Sequence, residues 1–413
     1  MYAAPSPSRA SIDQALRERS QVVIPGGMWG HQRAAAVPAG FPQFFMSGNG
    51  ATVRDVDGRD YIDFMCSWGP IILGHRHPGV EEAVRRQLEL GECFDGPTEN
   101  AVVLAETLVG MIPHASWALF QKNGSDAMTS CVTIARAFTG RRKVLVAKDA
   151  YHGAVPWCSP SLVGVTSEDR AHIIHFTFND TRSLEAAAAQ AGDDLAAVIV
   201  SGFKHDIGRT QELPKPDFAK AARALCDQAG AALIVDDVRA GFRLDLGGSW
   251  ELTGVRPDLS AYSKAIANGH ALSAVAGNER FREAAARIFV TGSFWYGGAA
   301  MAASIATLNE LKRLEAPRFL ERAGTRFANG LREQAQRHGF QLNISGPPAM
   351  PVMLFEDDPD AAIGEIFCLE ALKRGVYLHH RHNMFLSLAH TDEVIDRALD
   401  GTEDAFAALA GRR

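Results

Sequence analysis

The 413-residue chain is poor in cysteine, with six, at positions 66, 93, 131, 158, 226 and 368. They form no CxxC pair or knuckle spacing, which argues against a disulfide framework or zinc ribbon and for reduced thiols in a cytoplasmic protein. No uncharged run approaches the ~20 apolar residues that span a bilayer. The opening stretch, MYAAPSPSRASIDQALRERS, has no apolar core of the signal-peptide kind. A positive excess is also missing: the formal charge is -6. That argues against nucleic acid as partner and says little about small ligands. No GK[ST] follows the glycines, so there is no Walker loop. What remains is ordinary globular composition, 46% hydrophobic and 22% charged. The length suits a large core plus a smaller unit.

Residues 1–11 read as a frayed start. A helix is expected from Ser11 to about Arg19, capped by Ser11 or Asp13. Ala51–Val56, the turn Asp57-Gly58 and Tyr61–Phe64 read as a hairpin. From His77-Pro78 onward, short apolar runs alternate with helical periodicity. Helices are expected near 78–90, 101–111, 127–138, 183–190 and 218–229, and strands near 143–148, 171–176, 195–200, 232–235 and 272–276. This alternation predicts an α/β fold with a mostly parallel sheet covered on both faces. Long helices at 299–314 and 316–337 precede a smaller α+β unit. The division expected is 1–65, contributing to a small domain, then 66–314 as the large domain and 315–413 as the C-terminal small domain.

Three groups of residues make joint sense with one cofactor. Asp236 ends a strand, where a buried carboxylate needs a positive partner such as a protonated pyridine nitrogen. Lys264, in Tyr262-Ser263-Lys264-Ala265, sits among small residues. A partly desolvated lysine forms Schiff bases readily and then shuttles protons. Asn123-Gly124-Ser125-Asp126 leads into a helix whose first N–H groups suit a phosphate. Taken alone, each has an ordinary alternative: a capping aspartate, a surface helix lysine, a plain Ser/Asp cap.

With the motifs PGG (25–27), VRDVDGRDYIDF (53–64), SWGPIILGHRHP (67–78), NGSDA (123–127), YHG (151–153), IVDDV (234–238), YSKAIANG (262–269) and SLAHTDE (387–393), the chain resembles class III, fold-type I aminotransferases. The resemblance is to the branch near glutamate-1-semialdehyde 2,1-aminomutase and the β-amino-acid aminotransferases, and it runs from about Val23 to Leu409. It implies pyridoxal 5′-phosphate bound through Lys264, Asp236 beside the pyridine nitrogen, and Gly124 and Ser125 at the phosphate. Tyr151 and Val238 would lie on the two ring faces, with His152 nearby. It also implies a homodimer with shared sites, Ser293 or Thr291 reaching the neighbour's phosphate. Arg33 and Trp68 would contact substrate. The activity implied is amino transfer from an α- or β-amino acid to a keto acid or aldehyde. An intramolecular aminomutase and, less favoured, a racemase are the alternatives.

The sequence departs from that pattern in places. Ser201-Gly202 stand where an acidic residue and proline are usual, and Asp237 where glutamate is common. Trp295-Tyr296-Gly297-Gly298 replace a Ser-Gly-Asn-Pro run. His379-His380-Arg381-His382-Asn383 occupies a pocket-closing position. There Arg381 suits an acidic group, a metal site needs convergent ligands, and a solvated loop is the plain alternative.

Overall fold

The computed structural model describes residues 11–412. The frayed start expected for residues 1–11 therefore lies, Ser11 apart, outside the described residues.

A seven-stranded sheet forms the centre. Its spatial order is Trp117–Gln121, Ser273–Gly277, Leu259–Tyr262, Ala232–Asp236, Leu195–Ser201, Lys143–Ala147 and Ile173–Phe176. Ser273–Gly277 runs antiparallel to both neighbours, and the other pairs are parallel. Leu195–Ser201 and Ala232–Asp236 are buried at every residue. Such continuous apolar runs belong to strands covered on both faces. Their side chains divide with the two-residue period of a strand. Val198, Val200, Leu233 and Val235 pack with Leu184, Phe218 and Ala222 of helices Thr181–Ala191 and Pro216–Ala229. Ala197, Ile199, Ala232 and Ile234 pack with Ala127, Cys131 and Ile134 of helix Gly124–Thr139. Asp236 shares the parity of Ile234. The sheet therefore turns it toward the face covered by helix Gly124–Thr139.

Two strands of this sheet were not anticipated. Leu259–Tyr262 has only four residues, and Trp117–Gln121 lacks clean alternation. Both are held by pairing with Ser273–Gly277 rather than by local pattern.

The expected hairpin forms from Thr52–Asp55 and Asp60–Asp63, with Phe45–Asn49 added on one edge. On the other edge Val376–Tyr377 pairs parallel with Asp60–Asp63. The N-terminal and C-terminal parts of the chain thus share one small sheet. Ser11 caps helix Ile12–Val23, which continues past the expected Arg19, and its hydroxyl donates to Asp57 in the hairpin turn at 2.7 Å. Helices Ala316–Arg337, Ala362–Lys373 and Asp392–Ala410 complete this part, packed through Phe327, Phe367 and Phe406. Phe64 stacks on Phe327 at 4.2 Å, joining the end of the hairpin to that core.

Candidate active site

A cavity of about 260 Å³ opens at the carboxyl edge of the sheet. Open α/β sheets bind ligands at this edge. Asn123, Gly124, Ser125, Tyr151, His152 and Gly153 line one part. His205, Asp236, Val238, Arg239, Ser263 and Lys264 line the rest. The structure thus gathers seven of the expected residues: Gly124, Ser125, Tyr151, His152, Asp236, Val238 and Lys264.

Helix Gly124–Thr139 supplies the first wall. Asn123 caps it, its side-chain oxygen accepting from the Asp126 amide at 3.0 Å. The amides of Gly124 and Ser125, as first-turn groups, have no partner inside the helix and remain for a ligand. A side chain at Gly124 would meet Val238 Cγ1 at 2.7 Å, so this close approach requires glycine. A side chain at Gly153, φ +131°, would likewise come to 2.5 Å from Ser125 Oγ, which accepts from the Ala154 amide at 3.1 Å.

Asp236 is 8% exposed. His152 Nδ1 lies 2.6 Å from its Oδ2, and the Val238 amide donates to Oδ1 at 3.1 Å. With a carboxylate as acceptor, Nδ1 carries the imidazole proton. His152 Nε2 is buried without a partner among the described residues.

Lys264 begins a short 3-10 turn in the left-handed region, φ +48°, a conformation costing a non-glycine residue about 1 kcal/mol or more. Its surroundings hold it there. Ser263 Oγ donates to the Leu272 carbonyl at 2.9 Å. Asn268 accepts from the Ile72 and Leu73 amides and donates to the Gly74 carbonyl. Burial and then the charge of Arg239 bring the Lys264 ammonium down to about 8, against the opposing pull of Asp236. More of this amine is therefore free and nucleophilic near neutrality than of a surface lysine.

These groups fit pyridoxal phosphate. The two first-turn amides and the Ser125 hydroxyl suit the phosphate. The buried Asp236–His152 pair suits a protonated ring nitrogen, and Tyr151 and Val238 offer the flat walls a ring needs. Lys264 supplies the amine. Among the described residues, no set of three or more His, Cys, Asp or Glu side chains converges as metal ligands would.

The other expected site residues lie elsewhere. Thr291 and Ser293 are exposed and outside the lining of this cavity; Thr291 borders a separate one with Asp126 and Trp157. Arg33 is exposed and outside the lining of this cavity. Arg381 is exposed and lies against Gly208. Trp68 stacks on His31 at 4.9 Å and meets His382 and His379 edge-on at 4.8 and 5.6 Å. This binds the 379–383 segment to the loop carrying Trp68. His379 and His382 are pushed toward neutrality by burial.

Sequence reasoning assigned no role to Arg239 or His205, which also line the cavity. Each follows the carboxyl end of a central strand, and that position is the signal that would have found them.

The class-III aminotransferase family model matches residues 35–406. The aminopentol aminotransferase of Sphingopyxis macrogoltabida is 46% identical, over 95% of this chain and 93% of its own length. A glutamate-1-semialdehyde 2,1-aminomutase of Desulforudis audaxviator (strain MP104C) is 35% identical, over 94% and 95%. The solved PLP internal aldimine form of the FumI protein from Sphingopyxis sp. MTA144 superposes with a TM-score of 0.95 at 46% identity, covering 96% of each chain. Sequence, fold and cavity thus agree, and the chain belongs to the class-III aminotransferases, enzymes dependent on pyridoxal phosphate.

Proposed function

We propose that this aminotransferase takes its amino group from a carboxylate-bearing donor, an α- or β-amino acid, and passes it to a keto acid or aldehyde. The observation that carries the catalytic reading is one cavity lined by both Lys264, with its depressed basicity, and the Asp236–His152 pair. When bound, pyridoxal phosphate supplies the electrophilic carbonyl and the electron sink. Lys264 Nζ is the base that takes the proton from the donor carbon bearing nitrogen. Asp236, steadied by His152 and the Val238 amide, keeps negative charge at the end of the cavity away from solvent. Gly124, Ser125 and their helix terminus anchor phosphate, while Tyr151 and Val238 hold the ring plane.

Two copies share their sites in this reading, with Thr291 or Ser293 contributing to the neighbour. The high exposure of Phe289 (92%) and Phe294 (71%) on the same segment supports that pairing. A cytoplasmic setting fits the free thiols of all six cysteines. The rival reading is an intramolecular 2,1-aminomutase, favoured by the likeness to the relative of that name.

The test incubates holoenzyme with α-, β- and ω-amino compounds and follows loss of the cofactor's long-wavelength band. Transfer from at least one carboxylate-bearing donor is expected, requiring an added carbonyl acceptor for turnover. Conversion without any acceptor would establish the aminomutase instead. Lys264→Ala should remove both band and turnover; retention of both overturns the site.

A further inference from the structure

The residues assigned to substrate carboxylate from sequence, Arg33 and Arg381, lie outside the cavity lining. Arg239 is the only arginine among the residues that line it. Its Nη1 donates to Asn383 Oδ1 and, at 3.3 Å, to His382 Nε2. His382 is fixed in the accepting tautomer, because its Nδ1–H donates to the Asn383 carbonyl at 2.7 Å. Trp68 packs against the His382 ring. The guanidinium is thus held on one side by two residues of the 382–383 segment.

Its other donors, Nε and Nη2, have no partner among the described residues, and no carboxylate forms an ion pair with it. Asp236 acts on it from a distance, but both Asp236 oxygens already accept, from His152 Nδ1 and the Val238 amide. Arg243 differs in what its free donor can reach. It is fully buried, its Nη1 and Nη2 go to the carbonyls of Leu386 and Gly69, and its Nε is sealed in without a partner among the described residues, so its role is to join chain segments. The Nε and Nη2 of half-buried Arg239 are not sealed off, so an anion that enters the cavity can reach them.

We propose that Arg239 grips the substrate carboxylate. A guanidinium anchored through one Nη presents the Nε/Nη2 edge, whose two parallel N–H bonds match a carboxylate. The position suits this role as well. Arg239 follows Val238 directly, and its bonds to His382 and Asn383 tie it to the part of the structure where Trp68 packs. This inference rests on amino transfer at Lys264 and names the group by which substrates are chosen.

The experiment uses holoenzyme and an unreactive pair of probes, propionate and its uncharged counterpart propionamide. Binding is read from the shift of the cofactor band and from calorimetric heat. Wild type should bind propionate saturably and propionamide far more weakly. Arg239→Gln should weaken propionate about 10- to 100-fold, the loss of a charge-assisted pair, and leave propionamide unchanged. Arg239→Lys should fall between, because charge persists without the fork. Should Arg239→Gln fold poorly, Asn383→Ala gives the second reading: a raised KM for carboxylate-bearing donors and little change in kcat. Equal propionate affinity in wild type and Arg239→Gln overturns the proposal. So does a shift of the cofactor band's pH midpoint in the variant with propionate binding intact, which would aim Arg239 at the cofactor. Loss of propionate affinity in Arg33→Gln or Arg381→Gln, with Arg239→Gln unaffected, overturns it as well. Absence of any cofactor band in wild type would instead sink the amino-transfer reading beneath it.

Discussion

Cofactor capture by the apoenzyme should have a pH profile with an early break. Imine formation needs the free amine of Lys264, and burial together with Arg239 lowers that group to about 8. At pH 7 the free amine is then ~10% of the total, against ~0.04% for an ordinary lysine. Below the break each pH unit raises the free fraction about tenfold; above it the fraction levels off. The assay mixes apoenzyme with pyridoxal phosphate in stopped flow from pH 6 to 10. Each rate is divided by that of a lysine peptide at the same pH, which removes ionisation of the cofactor. The ratio should be highest and level at low pH and begin to decline near pH 8, where Lys264 is half free. Amines of lower basicity are also weaker nucleophiles, so the position of the break is diagnostic and the absolute rate is not. Arg239→Gln should move the break upward without restoring the ordinary lysine value, because burial is the larger cause. A ratio that stays flat to pH 10 would refute the reasoning, since it would mean Lys264 titrates like a surface lysine.

Two further outcomes concern residues beside Lys264 and Asp236. Burial pushes the Asp237 carboxyl up to about 7, above the ~3.9 of an unfolded chain. Wild type should therefore lose stability as pH rises from about 4 through 7, whereas Asp237→Asn keeps an oxygen for the Ser249 amide (2.9 Å from Asp237 Oδ2) and does not ionise. Urea unfolding of the apoenzyme should show a gain for Asp237→Asn at pH 8 that shrinks toward pH 4. Its upper limit is roughly 1.4 kcal/mol for each pH unit separating the folded and unfolded midpoints. An equal gain at both pH values would contradict the sign. Gly124→Ala forces a methyl to 2.7 Å from Val238 Cγ1 and should weaken cofactor binding about tenfold or more through displaced amide donors. Equilibrium titration of pyridoxal phosphate checks this, and unchanged affinity would remove Gly124 from the phosphate site.

What the sequence by itself determined was mainly local. Asp57-Gly58 between alternating runs specified the hairpin, and Pro78 at a helix start marked the helix beginning there. The apolar runs at 195–200 and 232–235 announced buried parallel strands because side chains covered on both faces leave little room for polar residues. Asp236, Lys264 and the Asn123–Asp126 cap were legible only together, because each alone has an ordinary structural reading and the three make joint sense with one cofactor. Tertiary structure alone decided the rest. Leu259–Tyr262 and Trp117–Gln121 became strands through a neighbour that runs antiparallel between them. The places of Arg33, Arg381, Thr291 and Ser293 outside the cavity, and of Arg239 inside it, depended on how loops far apart in the chain meet at one sheet edge. Side-chain type is a property of position in the chain, but proximity of unlike segments is a property of packing. The pairing of Arg239 with Asn383, 144 residues away, has no local pattern to announce it.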